Sequence, residues 1–114
     1  VREMRKLLAL SGGGEDNIIY GAGDLYVTIF GGRTRKIGTL LGRGLSFDEA
    51  MEELSGVTLE SIVIAERTAR AVIALDAAGR ANVKDFPLLM HVYEIIHDGS
   101  KVDVPWKKFE SEDF

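Results

Sequence analysis

Asp24-Leu25-Tyr26-Val27-Thr28-Ile29-Phe30-Gly31-Gly32 is the stretch that decides the fold of this chain. Tyr26 to Phe30 favour a strand by composition, because β-branched and aromatic side chains suit a pleated surface. No second convincing strand occurs elsewhere in the sequence, and a lone strand leaves its backbone donors and acceptors without partners. The segment is therefore expected to be a buried helical turn started by Asp24 and broken by Gly31-Gly32. Without that strand no strand-helix-strand unit can be built, and the sequence predicts an all-α fold.

The flanking residues agree. Toward the C-terminus, Arg33 to Gly42 has helical spacing with Ile37, Leu40 and Leu41 inward. Ser46-Phe47-Asp48-Glu49 is a capping box, opening a helix to about Leu54 with Phe47, Ala50, Met51 and Leu54 on one face. The longest helix is expected from about Leu59 to Ala78, with an apolar stripe of Leu59, Ile62, Val63, Ala69, Val72 and Ile73, closed by Gly79. Asp85-Phe86-Pro87 opens another, with Asp85 as cap and Pro87 in the first turn. Leu89, Met90, Tyr93 and Ile96 are its expected buried face, and Asp98-Gly99 its end. A last short helix begins near Asp103-Val104-Pro105, with Trp106 and Phe109 docked on the core, before a frayed end from Glu110 to Phe114. Toward the N-terminus, Val1 to Ser11 is a helix ended by Gly12-Gly13-Gly14, and residues 15 to 23 are irregular or hold one short turn. The result is a single helical domain, residues 1–114, of five to seven helices.

Composition excludes several functions. Apolar residues at 46% and charged residues at 28% fit a folded domain. No apolar run approaches the roughly 18 residues of a bilayer span, and no signal peptide opens the chain. There is no cysteine, so neither disulfides nor thiolate metal sites are available, and a cytoplasmic setting is expected. His91 and His97 lie six apart on one helix, which is not metal-ligand spacing, so no metal site is expected and both are ordinary surface or partly buried histidines. The net charge of −4 argues against nucleic-acid binding.

The charge is unevenly placed. Between Gly21 and Gly44 four bases (Arg33, Arg35, Lys36, Arg43) face one acid (Asp24), a local net charge of +3. Ten of the 13 glycines lie between Gly12 and Gly44, and glycine clusters mark tight turns or close backbone approach. Helix caps explain Gly12 to Gly14, Gly42 and Gly44. Gly21, Gly23, Gly31 and Gly32, which flank Asp24 and Arg33, suit a binding site. Gly21-Ala22-Gly23-Asp24-Leu25-Tyr26 fails as a dinucleotide fingerprint, since Tyr26 replaces the third glycine and no strand precedes it. Gly31 to Lys36 lacks phosphate-loop spacing. What remains is Gly32-Arg33-Thr34-Arg35 at a predicted helix start, where free amides and the helix dipole favour an anion. Arg33 adds a fork of donors suited to phosphate, and Thr34 adds a hydroxyl. Asp24 either orders polyol hydroxyls or a catalytic cation, or simply caps a helix.

Gly21-Ala22-Gly23-Asp24-Leu25, then Thr28, then Gly32-Arg33-Thr34-Arg35-Lys36-Ile37-Gly38 resembles the signature of NAD-dependent glycerol-3-phosphate dehydrogenases. The resemblance continues through Leu40-Leu41-Gly42-Arg43-Gly44, Val57-Thr58-Leu59-Glu60, Phe86-Pro87-Leu88 and Val92-Tyr93, covering Arg2 to about Lys108. It implies an all-α C-terminal domain, of the 6-phosphogluconate dehydrogenase kind, that follows an N-terminal Rossmann domain. It implies NAD(P)-dependent interconversion of sn-glycerol 3-phosphate and dihydroxyacetone phosphate, a step toward glycerolipids. By motif match, Asp24 would contact the glycerol hydroxyls near a catalytic lysine. Gly32, Arg33 and Thr34 would hold the phosphate, and Arg33, Thr58 and Glu60 would face an NAD or NADP cofactor.

This sequence departs from the pattern at Gly32, where the family usually has serine, and at Thr34, where it has asparagine. The loop from Thr28 to Arg33 is about two residues short. The catalytic lysine would lie upstream of the Gly-x-Gly-Asp turn, beyond Lys6, so the chain is expected to be a C-terminal piece, inactive alone. Its expected partners are a small phosphate ester and its own Rossmann domain, and apolar surface left bare by that domain invites a homodimer. The alternatives are the helical domain of a related hydroxy-acid dehydrogenase, or a helical interaction module without chemistry.

Overall fold

The computed structural model describes residues 1–12, 19–21, 23–24, 33–54 and 60–110. Among them are five α-helices: α1 (Arg2–Leu10), α2 (Arg33–Gly42), α3 (Phe47–Glu53), α4 (Glu60–Ala77) and α5 (Pro87–Asp98). Two 3-10 turns, Val83–Asp85 and Trp106–Phe109, complete the order. Residues 19–21 and 23–24 are also helical. No strand occurs among the described residues, as the all-α expectation requires. Tyr26 to Phe30, the ambiguous segment, lies outside the described residues.

The helix ends follow local chemistry. Ser46 caps α3: the Glu49 N–H donates to its Oγ at 3.3 Å, and the hydroxyl donates to Glu49 Oε1 at 3.0 Å. The expected capping box is thus closed through the two side chains. Gly79 and Gly99 stand at φ +73° and +70° after α4 and α5. A side chain there would be strained, so glycine ends both helices.

Two apolar clusters form the core. In the first, Ile37 of α2 and Ala50 of α3 are buried, with Leu40, Leu41, Phe47, Met51, Leu54 and Ile62 packed around them. In the second, Ala69 and Val72 of α4 are buried along with Phe86, Pro87 and Ile95, and α4 and α5 make the most extensive helix pair. Ile62 belongs to α4 yet packs in the first cluster, so α4 ties the two together.

Several expectations need correction. Val63 and Ile73 were expected inside but are 43% and 38% exposed. Ala69 and Val72 carry the face that meets α5, and Val63 lies well round the helix from them. On α5 the buried line is Pro87, His91 and Ile95, spaced four apart, while Leu89, Met90, Tyr93 and Ile96 are half-buried. His91 is buried because its polar tip is satisfied: Nε2 accepts from the Asp103 N–H at 3.0 Å. The Nδ1 side faces Glu94 Oε2 at 3.7 Å, so the ring proton belongs on Nδ1. Trp106 is 71% exposed and does not dock on the core. Its ring meets that of the half-buried Phe109 edge to face, with centroids 6.3 Å apart.

Asp85 is not the cap of α5. It lies in the preceding 3-10 turn and pairs with Lys6 of α1 at 3.3 Å. Phe86 occupies the cap position without a capping side chain. The cap comes instead from α1, where the two carboxylate oxygens of Glu3 accept from the Leu88 and Leu89 N–H groups at 3.1 and 2.9 Å. Pro87 lacks an amide, so Leu88 and Leu89 are the next donors in line.

Candidate functional site

The site expected from sequence is a helix start, and α2 begins at Arg33 as expected. The first amides of a helix have no intrahelical acceptor and point out of its N-terminus. Most helices set acids there to complement the dipole. In α3 these are Asp48 and Glu49, and in α4 Glu60. The first turn of α2 holds no acid, and its residues include Arg33, Arg35 and Lys36. Bases at the positive end of a dipole are unfavourable unless an anion sits among them. Arg35 and Lys36 are exposed to solvent, so an anion can reach the turn. Ile37, one turn further on, is 2% exposed and locks the helix into the first cluster.

Each expected residue has a definite standing. Arg33 and Thr34 form the first turn of α2. Asp24 is helical and exposed, in the segment that begins beside α1. Glu60 is the exposed first residue of α4, two residues before Ile62, which packs against the cluster formed by Ile37 and Ala50. An acid at that position also has a plain explanation in the dipole of α4. Gly32 and Thr58 lie outside the described residues. Among the described residues, no hydrogen bond or ion pair joins Asp24 or Glu60 to α2. No group of three or more His, Asp or Glu side chains able to hold a metal occurs among them either.

A cavity of about 910 Å³ lies elsewhere, between α4, the Val83–Asp85 turn and α5. None of Asp24, Arg33, Thr34 and Glu60 lines it. Its acids Asp76, Asp85 and Glu94 outnumber Lys84 and Lys108, which disfavours a phosphate dianion. Two of these acids are engaged, Asp76 by the Val83 N–H at 2.8 Å and Asp85 by Lys6. Its size therefore does not make it the anion site.

Two of the polar contacts that escaped the sequence involve α5. The Glu3 cap had a faint signal: Phe86-Pro87 supplies no capping side chain, so the amides after it needed an acceptor from elsewhere. The His91–Asp103 bond had none, since twelve residues separate the pair.

The described residues form an all-α domain in which the first turn of α2 is basic and free of acid. The sequence pattern described as NAD-dependent glycerol-3-phosphate dehydrogenase C-terminus matches residues 1–107. The chain belongs to that family. An NADP(+)-dependent glycerol-3-phosphate dehydrogenase of Archaeoglobus fulgidus is 38% identical over 107 residues, covering 90% of this chain and 30% of the relative. The chain thus spans about a third of the length of that curated relative. No solved structure matches. No described helix is long and apolar enough to cross a membrane.

Proposed function

We propose that this chain is the substrate-holding part of a longer NAD(P)-dependent dehydrogenase that interconverts sn-glycerol 3-phosphate and dihydroxyacetone phosphate, with a Rossmann domain as its partner. The observation that carries the proposal is the first turn of α2, basic and without an acid. Family membership supports the same substrate.

The division of labour follows from the residues. The backbone amides at the start of α2, with Arg33 and Thr34, take the phosphate dianion, and glycine at position 32 offers no side chain to obstruct it. Asp24, an acceptor in solvent reach, takes hydrogen bonds from the glycerol hydroxyls and orients the carbon that reacts. Thr58 and Glu60 face the cofactor across the cleft between domains. A nicotinamide held mainly by the partner domain would supply or accept the hydride, and the lysine that handles the hydroxyl proton would come from upstream of this chain. A cytoplasmic enzyme feeding glycerolipid synthesis, and a homodimer, complete the proposal.

A turnover assay tests it. The complete gene product should reduce dihydroxyacetone phosphate with NADH or NADPH, and the 114-residue chain alone should not. Turnover by the pure chain, or none by the complete product with either cofactor, overturns the proposal.

A further inference from the structure

Helix α1 touches both the segment that carries Asp24 and the start of α5. A Cβ built on Gly21 would lie 2.9 Å from the Met4 Cε, closer than real Cβ contacts allow. Gly21 is not among the glycines with positive φ, so close approach to α1, not backbone conformation, favours glycine here. The residue before Met4 is Glu3, whose carboxylate holds the Leu88 and Leu89 amides. Consecutive residues of α1 therefore grip two different parts of the molecule. The Arg2 guanidinium adds a bond to the Phe109 carbonyl at 3.4 Å. No side chain of α1 is fully buried, and Met4, Leu7 and Leu8 are half-buried, so these polar contacts supplement a partial apolar seat.

We infer that Glu3 is a positioning residue for the Gly21–Asp24 segment: by capping α5 from α1 it fixes Met4 against Gly21, and so sets where Asp24 stands. Its importance for turnover rests on the reading that Asp24 meets the substrate, but the chain of contacts does not. Gly21 in the Gly-x-Gly-Asp turn thereby has a structural purpose, to admit the Met4 methyl. Met4 Cε is the end of a flexible side chain, so a small residue at position 21 would displace Met4 instead of unfolding the protein.

Amide hydrogen exchange on the chain, read by NMR, tests the inference without substrate. In Glu3→Ala, exchange at Leu88, Leu89, Gly21, Gly23 and Asp24 should rise roughly tenfold or more beyond the rise at Val72 and Ile95, whose rates follow only the loss of global stability. An equal rise at all of these amides would mean plain loss of stability and would overturn the inference. So would a change at Leu88 and Leu89 that leaves Gly21 to Asp24 untouched. Glu3→Gln retains one carbonyl acceptor, so it should show a smaller change at the same amides, and it serves if the alanine variant does not fold. Gly21→Ala should shift the Asp24 amide resonance, and adding Met4→Ala should return it; no return means the contact does not transmit. Asp24→Asn in the complete gene product reports separately on the substrate reading, where unchanged turnover would discard Asp24 and leave the exchange result standing.

Discussion

Helix α1 and the α4–α5 pair are held by different balances of polar and apolar contact. The α4–α5 pair interlocks apolar surface, with Ala69, Val72, Phe86 and Ile95 all at 5% exposure or less. Helix α1 buries no side chain fully and is seated by a carboxylate on two amides, an ion pair and an arginine on a carbonyl. The first kind of contact is robust to small displacements. The second is directional, and weak when any one member is lost. The candidate site borders on the second kind: the segment leading to Asp24 rests on α1 through Gly21 and Met4, while α2 is anchored by Ile37 in an apolar cluster. Of the two halves of the proposed site, the end assigned to phosphate rests on apolar packing and the Asp24 end on a polar latch.

Substitutions rank the contrast. Phe86→Ala should cost about 3–5 kcal/mol, because a fully buried ring leaves a cavity that its surroundings fill only in part. A urea melt measures it, and a loss below about 1 kcal/mol would deny the α4–α5 pair its central place. His91→Leu keeps the volume but strands the Asp103 N–H, for about 1–3 kcal/mol. A neutral result would show that water reaches that amide. Glu3→Ala, which removes the cap of α5, should cost about 1–2 kcal/mol. Lys6→Met should cost less than about 1 kcal/mol, since the Lys6–Asp85 pair is partly solvated and screened by salt. If Lys6→Met proved worse than Glu3→Ala, the ion pair and not the cap would be what seats α1. Trp106→Ala belongs last, within about 0.5 kcal/mol, because the ring is mostly in solvent. A large loss would restore the docked tryptophan expected from sequence.

The same contrast governs what was legible in the sequence. Apolar periodicity located α2, α3 and α4 within a residue or two, and it picked Ile37, Ala50, Ala69 and Val72, because these contacts are made by spacing alone. It misjudged the face of α5, since a histidine took a core position once the Asp103 amide satisfied it. It also assigned the α5 cap to Asp85, the nearest acid in sequence, whereas Glu3 supplies it from 85 residues away. A trans cap leaves no local pattern. For the site, the missing acid in the first turn of α2 was readable directly from Gly32-Arg33-Thr34-Arg35-Lys36. The seat of the Asp24 segment was not, because it depends on which face of α1 turns toward Gly21.

The central claim is that the start of α2 holds the phosphate of the substrate. Steady-state kinetics of Arg33→Ala in the complete gene product test it most directly. Loss of a charged hydrogen bond to phosphate should weaken substrate capture by about 1.5–3 kcal/mol, roughly a ten- to hundredfold fall in kcat/KM for dihydroxyacetone phosphate. An unchanged KM and kcat would contradict the account and take Arg33 out of the site.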